Sequence, residues 1–312
     1  MKNDYVIHLR SFEGGLEIAN SQGIVSPAYT ILRSKKPCAP LFFESYFHTD
    51  EFINHVLYKA VEGIRDGRQI SYEAFKWLSI PYCSLEEQTQ IAAFIEKINL
   101  RIEKQHSLVE HLKKYKRGFL RRCFSNQNGW DVLPISIIGK VVTGSTPPTD
   151  NPENYGGNKL FCAPSDVGTE KYISSTIKRV SEKGFNTGRI VPKGTIIVTC
   201  IGLIGKLGIA MQDMITNQQI NSLIVNSSFD KEFIYYALEY ALPRYAAQAS
   251  MQTMPILSKS EFEKITLQLP ESKKQKEISQ PLALLDSKIA NQTLVLENLL
   301  TLKNGLLQKL FI

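Results

Sequence analysis

Residues 91–112 read "IAAFIEKINLRIEKQHSLVEHL" and residues 278–299 read "ISQPLALLDSKIANQTLVLENL". In both stretches apolar residues return at steps of four and three. They are Ile91, Ile95, Ile98, Ile102, Val109 and Leu112 in the first, and Ile278, Leu282, Leu285, Ile289, Leu296 and Leu299 in the second. This is the period of a coiled-coil seam. Gln105 and Gln292 take the same seam position in the two copies, and a polar residue there fixes register at some cost in stability. Two matching seams in one chain predict long helices that pack antiparallel on each other; the alternative is that each packs only on its own globular neighbour. A helix over 88–122 would be about 52 Å long at 1.5 Å per residue.

The likeness extends beyond the helices. Shifted by 187 positions, residues 70–125 align with 257–312 without a gap, and 12 of the 56 pairs are identical. The chain therefore contains a duplicated unit. Upstream, "DEFINHVLYKA" (50–60) matches "KEFIYYALEYA" (231–241) at an offset of 181, which predicts about six extra residues in the second copy. The block 126–216 has no such partner, so the first copy is expected to be cut short.

Residues 129–225 are rich in Gly, Pro, Thr, Asn and β-branched residues, the composition of short strands joined by turns. A helix over 230–246 should start at Asp230 and end near Pro243. The expected fold class is α+β, with mixed α/β domains separated by two long helices in an antiparallel coiled coil. Four segments follow: the distal part of a first domain (1–84), a first spacer helix (85–125), a complete second domain (126–270) and a second spacer helix (271–312).

Composition narrows the function. With 312 residues and 43% apolar content the chain can bury ordinary cores. Its five cysteines are odd in number and never form a Cys-x-x-Cys pair, which argues against disulfides and zinc and fits a reducing cytoplasm. No membrane-crossing segment is expected, because the most apolar run, "GTIIVTCIGLIGKLGIAM", is broken by glycines and carries Lys206. The net charge of +7 admits a polyanionic partner, and +4 of it falls within residues 84–125. Phosphate-loop, dinucleotide, zinc-protease and nucleophile-elbow motifs are missing, and all five histidines precede residue 112. "GLIGKLG" (202–208) reads as a tight hairpin. Catalysis by this chain is not expected.

Both helices end in related sequences, the second as "LKNGLLQKLF" (302–311). The first helix is entered through Pro81, Glu87, Gln88 and Ile91; the second through Pro270, Gln275 and Ile278, with Lys274 in place of Glu. Between them come "TGSTPPTDNPENYGG" (143–157), "APSDV" (163–167), "VPKGTIIV" (191–198) and "TNQQINSLIV" (216–225). In this order they resemble the specificity subunit of type I restriction-modification systems, over nearly the whole chain. The resemblance implies a non-catalytic reader of double-stranded DNA. Each recognition domain would read half of a bipartite target, while the helices act as a ruler and dock methyltransferase subunits that carry S-adenosylmethionine. No cofactor would sit on this chain, and restriction subunits would join the full complex. For the first domain the resemblance leaves three expectations: a truncated gene product, a split subunit completed by another polypeptide, or a chain whose missing part comes from a second specificity chain. The competing expectation is a truncated coiled-coil scaffold without sequence-specific DNA binding.

Base edges are read by Arg, Lys, Asn and Gln, and phosphates by cations, hydroxyls and amides. Candidates are therefore Thr143, Gly144, Ser145 and Thr146, unless "TGST" is a plain surface turn. Asn217, Gln218 and Gln219 offer adenine-pairing amides, although alternation along a strand would turn Gln218 away from its neighbours and an amide could be buried. Gln252 and Thr253 lie in "SMQT", whose counterpart "GIRDGRQ" carries Arg65 and Arg68; Asp66 could instead pair locally with an Arg. Lys178, Arg179, Lys183 and Arg189 are phosphate candidates, with solvated surface as the alternative.

Overall fold

The computed structural model describes residues 1–8, 15–63, 68–125, 128–249 and 256–311. By contacts the chain divides into two units: Met1–Glu110 with Gln292–Ile312, and His111–Asn291. The first contains β1 (Tyr5–His8), β2 (Glu17–Ile18), β3 (Tyr29–Leu32), α1 (Pro40–Phe47), β4 (Val61–Glu62), β5 (Gln69–Ile70) and α2 (Tyr72–Phe75). Then comes α3 (Leu85–Phe124), whose last turns belong to the second unit. That unit continues with β6 (Asp131–Pro134), α4 (Ile135–Ile138), β7 (Gly139–Thr143), β8 (Tyr155–Cys162), β9 (Tyr172–Ile173) and β10 (Lys178–Val180). Next are α5 (Glu182–Thr187), β11 (Ile190–Val191), β12 (Ile196–Thr199), β13 (Leu207–Ala210), β14 (Met214–Thr216) and β15 (Ile220–Val225). It closes with α6 (Lys231–Ala249), α7 (Lys259–Lys264), β16 (Thr266–Leu269) and the first part of α8 (Ser272–Leu310).

The second unit holds a five-stranded sheet, β7-β15-β12-β13-β9, and a four-stranded one, β10-β8-β14-β11. The first unit holds a three-stranded sheet, β2-β1-β3. Those three strands reproduce β13-β12-β15 pair for pair. Tyr5 faces Leu32 and Ile18 in the first unit, just as Ile196 faces Leu223 and Ile209 in the second, and every pairing of the first unit recurs 191 positions on, the second adding Val198 with Leu207. The turn before the first strand repeats too. Asn3 (φ +69) and Gly194 (φ +88) are both left-handed, and each donates its N–H to an alanine carbonyl, Ala19 or Ala210, at 2.8 Å. Asn is one of the few side chains that tolerate that conformation.

The sequence offset of 181 upstream is thus corrected to 191. At that offset α1 matches the start of α6, and the segment 50–60, a π-helical turn followed by a 3-10 turn, matches not residues 231–241 but the run from Ala241 onward. The true counterparts are set by contacts: Phe42 packs on Phe311 (ring centroids 5.0 Å apart) as Phe233 packs on Phe124 (5.2 Å). Buried Gln88 accepts from the N–H of Ala39 and donates to the carbonyl of Cys83. Buried Gln275 accepts from Asp230 and donates to Pro270 in the same way. Between these anchors the second copy is four residues shorter, not six longer. Ser71 and Ser258 cap α2 and α7 alike, each side chain accepting from the amide three residues on.

The long helices run antiparallel within each unit. In the first, Ala92, Ile95 and Leu307 share one buried cluster, and the Gln105 amide donates to both the carbonyl and the Oε1 of Gln292 at 2.8 Å. In the second, Leu120 and Phe124 share a cluster with Leu282, while Ile91 and Ile278 pack against the clusters of their own units. Ile98, Ile102, Leu112, Leu285, Ile289 and Leu299 are half-buried. α6 starts as expected, with Asp230 Oδ1 accepting from the N–H of Phe233 at 2.8 Å, but it runs past Pro243 to Ala249. The proline is tolerated because it lies on the exposed face, where water can satisfy the carbonyl it leaves unpaired.

Candidate nucleic-acid interface

In the second unit β7 ends at Thr143 and runs into "GST", which lies on the turn joining β14 to β15. The fit needs a glycine: a Cβ at Gly144 would sit 2.2 Å from the Asn217 carbonyl oxygen and 2.3 Å from that of Thr216. Gly144 N–H donates to Ile220 and Ser145 N–H to Thr216. Thr143 Oγ1 donates to Asn221 Oδ1 (2.7 Å) and Thr146 Oγ1 to Gln218 Oε1 (2.6 Å). Arg189, just ahead of β11, closes the group. Its N–H donates to Ser145 Oγ (3.1 Å) and its guanidinium to the Thr143 carbonyl (2.9 Å).

Hydroxyls, amides and one cation from three distant segments therefore meet in one place. Residues 217–219 form a turn rather than strand, because the Asn217 side-chain oxygen accepts from the N–H of Gln219 (3.1 Å) and its carbonyl from Ile220 (3.2 Å). The strand behind the alternation argument is therefore absent, yet Gln218 does differ from its neighbours: it is exposed, while Asn217 and Gln219 are half-buried. The first unit's counterpart is Ser26, Pro27 and Ala28. There Ser26 Oγ accepts from Ala28 N–H and the Ser26 carbonyl from Tyr29, repeating the turn without its amides.

Lys178 and Arg179 lie apart from this group, on β10, where Arg179 donates to the Asn158 carbonyl (3.4 Å). Lys183 pairs with Glu153 (2.5 Å). Arg68 is exposed just before β5. Arg65, Asp66, Gln252 and Thr253 fall outside the described residues.

Sequence reasoning missed a second polar group in the same unit. Lys116 of α3 pairs with Glu239 of α6 (2.8 Å) and Asp286 of α8 (2.7 Å). Lys171 pairs with Glu232 and donates to the Tyr236 hydroxyl (2.7 Å), which in turn donates to Asp286 (2.5 Å). Lys171 Nζ also sits 4.3 Å from the Tyr236 ring centroid. Burial pulls the Lys116 ammonium down, but Glu239 and Asp286 outweigh it and its pKa rises; burial pushes Glu239 up despite Lys116. The ion group fastens the flank of the five-stranded sheet and α6 to both long helices of this unit. Its one sequence trace was the identical pair Lys116 and Lys303.

Among the described residues, no helix is long and apolar enough to cross a membrane. A family model for the type I restriction modification DNA specificity domain matches residues 127–301. The type I restriction enzyme MjaIX specificity subunit of Methanocaldococcus jannaschii is 32% identical over 169 residues, covering 52% of this chain and 39% of that protein. The HindI specificity subunit of Haemophilus influenzae is 31% identical over 147 residues, covering 46% and 32%. The chain thus spans less than half the length of these two relatives. The solved type I system S subunit from M. genitalium matches with a TM-score of 0.68 at 19% identity, over 100% of this chain and 83% of that one. A chain from a structure of type I system complex assembly and conformational transition matches at 0.66 and 17%, over 99% and 82%. At these identities the two structures share the fold.

Proposed function

The chain belongs to the type I restriction-modification DNA specificity family, and from that premise we propose that its second unit reads one half of a bipartite target in double-stranded DNA. The observation that supports this reading is the convergence of Thr143–Thr146, Arg189 and Asn217–Gln219 on one loop surface, with Gln218 exposed. Gln218 presents the amide geometry that pairs with an adenine edge, and Arg189 the charge that neutralises a phosphate. Residues 126–270 form the complete reader, and 1–84, which include Arg65 and Arg68, the distal part of another. The paired helices set the half-site spacing and dock methyltransferase subunits. Those subunits carry S-adenosylmethionine and the chemistry, restriction subunits join them in the cytoplasm, and this chain contributes recognition without catalysis.

The test is base-by-base selection from randomised duplexes with the purified chain, repeated across salt concentrations. Gln218→Ala should cost about 1–3 kcal/mol at one base position and relax preference there. Arg189→Ala should weaken all sequences evenly and lower the log–log salt slope by about 1. Selection without preferred bases, or an affinity indifferent to salt, would overturn the reading.

A further inference from the structure

We propose that the groove between the C-terminal ends of α3 and α6 binds phosphates of the DNA backbone beside the half-site, with Arg121 and Arg244 as its cationic contacts. This rests on the reading of DNA by the second unit and adds a contact surface apart from the loop group. The groove measures about 1060 Å³ and lies wholly within that unit. Arg121 and Phe124 of α3 form one wall, and Tyr240 and Arg244 of α6 another. The β6-β16 ribbon closes a third side with two exposed residues that face each other in its ladder, Val132 and Gln268. Two guanidinium groups line this space, and among the described residues that line it there is no carboxylate. Arg121 is exposed and has no hydrogen-bond or ionic partner among the described residues. Arg244 donates to the Tyr240 hydroxyl (3.0 Å), and its guanidinium lies 5.2 Å from that ring's centroid. A guanidinium stacked on a ring and anchored through one nitrogen still presents a planar fork of donors to an oxyanion.

The charges extend along α3. Lys114, Arg117 and Arg121 are spaced by three and four, so they share one exposed face of the helix that runs into the groove. The duplicated frame shows that the helix does not need them. At the matching places α8 carries Thr301, Asn304 and Gln308, while the buried Leu120 and Phe124 recur as the buried Leu307 and Phe311. Compensation of the helix dipole does not account for them either. α8 has only Lys309 in its last turn, and Arg244 lies five residues before the end of α6. The groove also lies at the same end of the unit as the loop group. A Cβ at Gly205 would lie 3.5 Å from Leu242 of α6, the Gly205 N–H donates to Thr199 (2.9 Å), and the adjacent Cys200 N–H donates to Gln219 (2.8 Å). Arg244 is therefore a few contacts from Gln218, inside the roughly 34 Å of one duplex turn. That continuity favours backbone phosphates over an acidic protein segment as the occupant.

The full chain is titrated across salt concentrations with duplexes that carry the selected half-site and one helical turn of flanking sequence on each side. Arg121→Gln combined with Arg244→Gln should leave the base preference and the thermal melt unchanged, since both side chains are exposed. It should weaken every duplex evenly and lower the log–log salt slope by about 2. Arg121→Lys combined with Arg244→Lys should restore most of that slope, which separates charge from packing. A neutral methylphosphonate, moved one position at a time through the flank, locates the contact. At one or two positions it should weaken the wild type and cost the neutral double variant nothing further. An unchanged slope in that variant, or methylphosphonate effects equal in the two proteins at every position, would overturn the groove assignment. Loss of polyglutamate binding by the variant with DNA affinity intact would overturn it in favour of an acidic protein segment. Absence of base preference in the wild type would instead strike the reading of Gln218 and leave the groove's test standing, because the salt slope can be read on any duplex.

Discussion

The turn at Ser26–Ala28 and the turn at Asn217–Gln219 share their closing bonds and differ in surface. Each is closed by a side-chain oxygen accepting from the N–H two residues on, and each hands the chain to a strand of identical register. One displays Ser, Pro and Ala, the other three amides. A duplicated frame thus holds its hydrogen bonds fixed while the chemistry it presents changes freely. The helix junctions are the converse. There Gln88 and Gln275, and Phe124 and Phe311, keep residue and contact alike, because a buried amide or ring has one set of partners.

The comparison is broken most forcefully at its identical lysines. Lys116 and Lys303 are repeat counterparts and both half-buried, yet the Lys116 side chain, only 13% exposed, sits between the carboxylates of Glu239 and Asp286. Lys303 is one of the charges that moderate the rise which burial imposes on the Glu44 carboxyl. Lys116→Ala leaves Glu239, whose Oε2 is already unbonded, without its cation and strips Asp286 of the nearer of its two, Lys171 remaining at 3.6 Å, and should cost the second unit about 3–5 kcal/mol. Lys303→Ala should cost the first unit less than about 1 kcal/mol. Hydrogen exchange in β12 and β1 reads the two units separately, and equal losses would refute the asymmetry. The pH dependence carries the same sign. The folded pKa of Lys116 lies above its ordinary value of 10.5, so its contribution is complete below pH 10.5 and disappears as pH climbs through the folded value. The alkaline decline of the wild type should therefore be blunted in Lys116→Ala.

Next in size are the glutamines. Gln88→Ala and Gln275→Ala each orphan one buried N–H and one carbonyl, at a cost of about 1–3 kcal/mol. Equal losses in the two units are expected; a loss in one alone would mean that the bonds match but their surroundings do not.

The helices were legible in the sequence because a seam constrains side chains directly: period, polar interruption and antiparallel pairing all leave apolar letters at fixed steps. The sheet duplication was nearly illegible. Strand register is enforced by backbone bonds and burial, which accept Tyr-Val-Ile-His and Ile-Ile-Val-Thr alike. With so few identities, the chance resemblance of "DEF" to "KEF" drew the alignment to the wrong offset. Candidate loop residues could be picked by type, but not that Arg189 reaches Thr143 and Ser145 across more than forty positions. The ion group around Lys171 gathers four segments, and no local pattern announces it.

The smallest stability effect belongs to the turn itself and sharpens the comparison most. Replacing Asn217, Gln218 and Gln219 by the Ser, Pro and Ala of the first unit should leave the fold within about 1 kcal/mol. The bonds that survive explain why: a Ser oxygen can accept from position 219 as Asn217 does, the backbone bond from Ile220 is kept, and the carbonyl of residue 219 still accepts from Cys200. Proline is accommodated at the matching place in the first unit, within the same turn. What is lost is the exposed amide of Gln218 with its bond from Thr146, and the bond from the Asn217 side-chain amide to Gln219 Oε1. A thermal melt should therefore register almost nothing, while base selection by the chain should lose its preference at one or more positions. If the melt falls by several kcal/mol instead, the amides hold the turn together, and the two turns are not one frame with interchangeable surfaces.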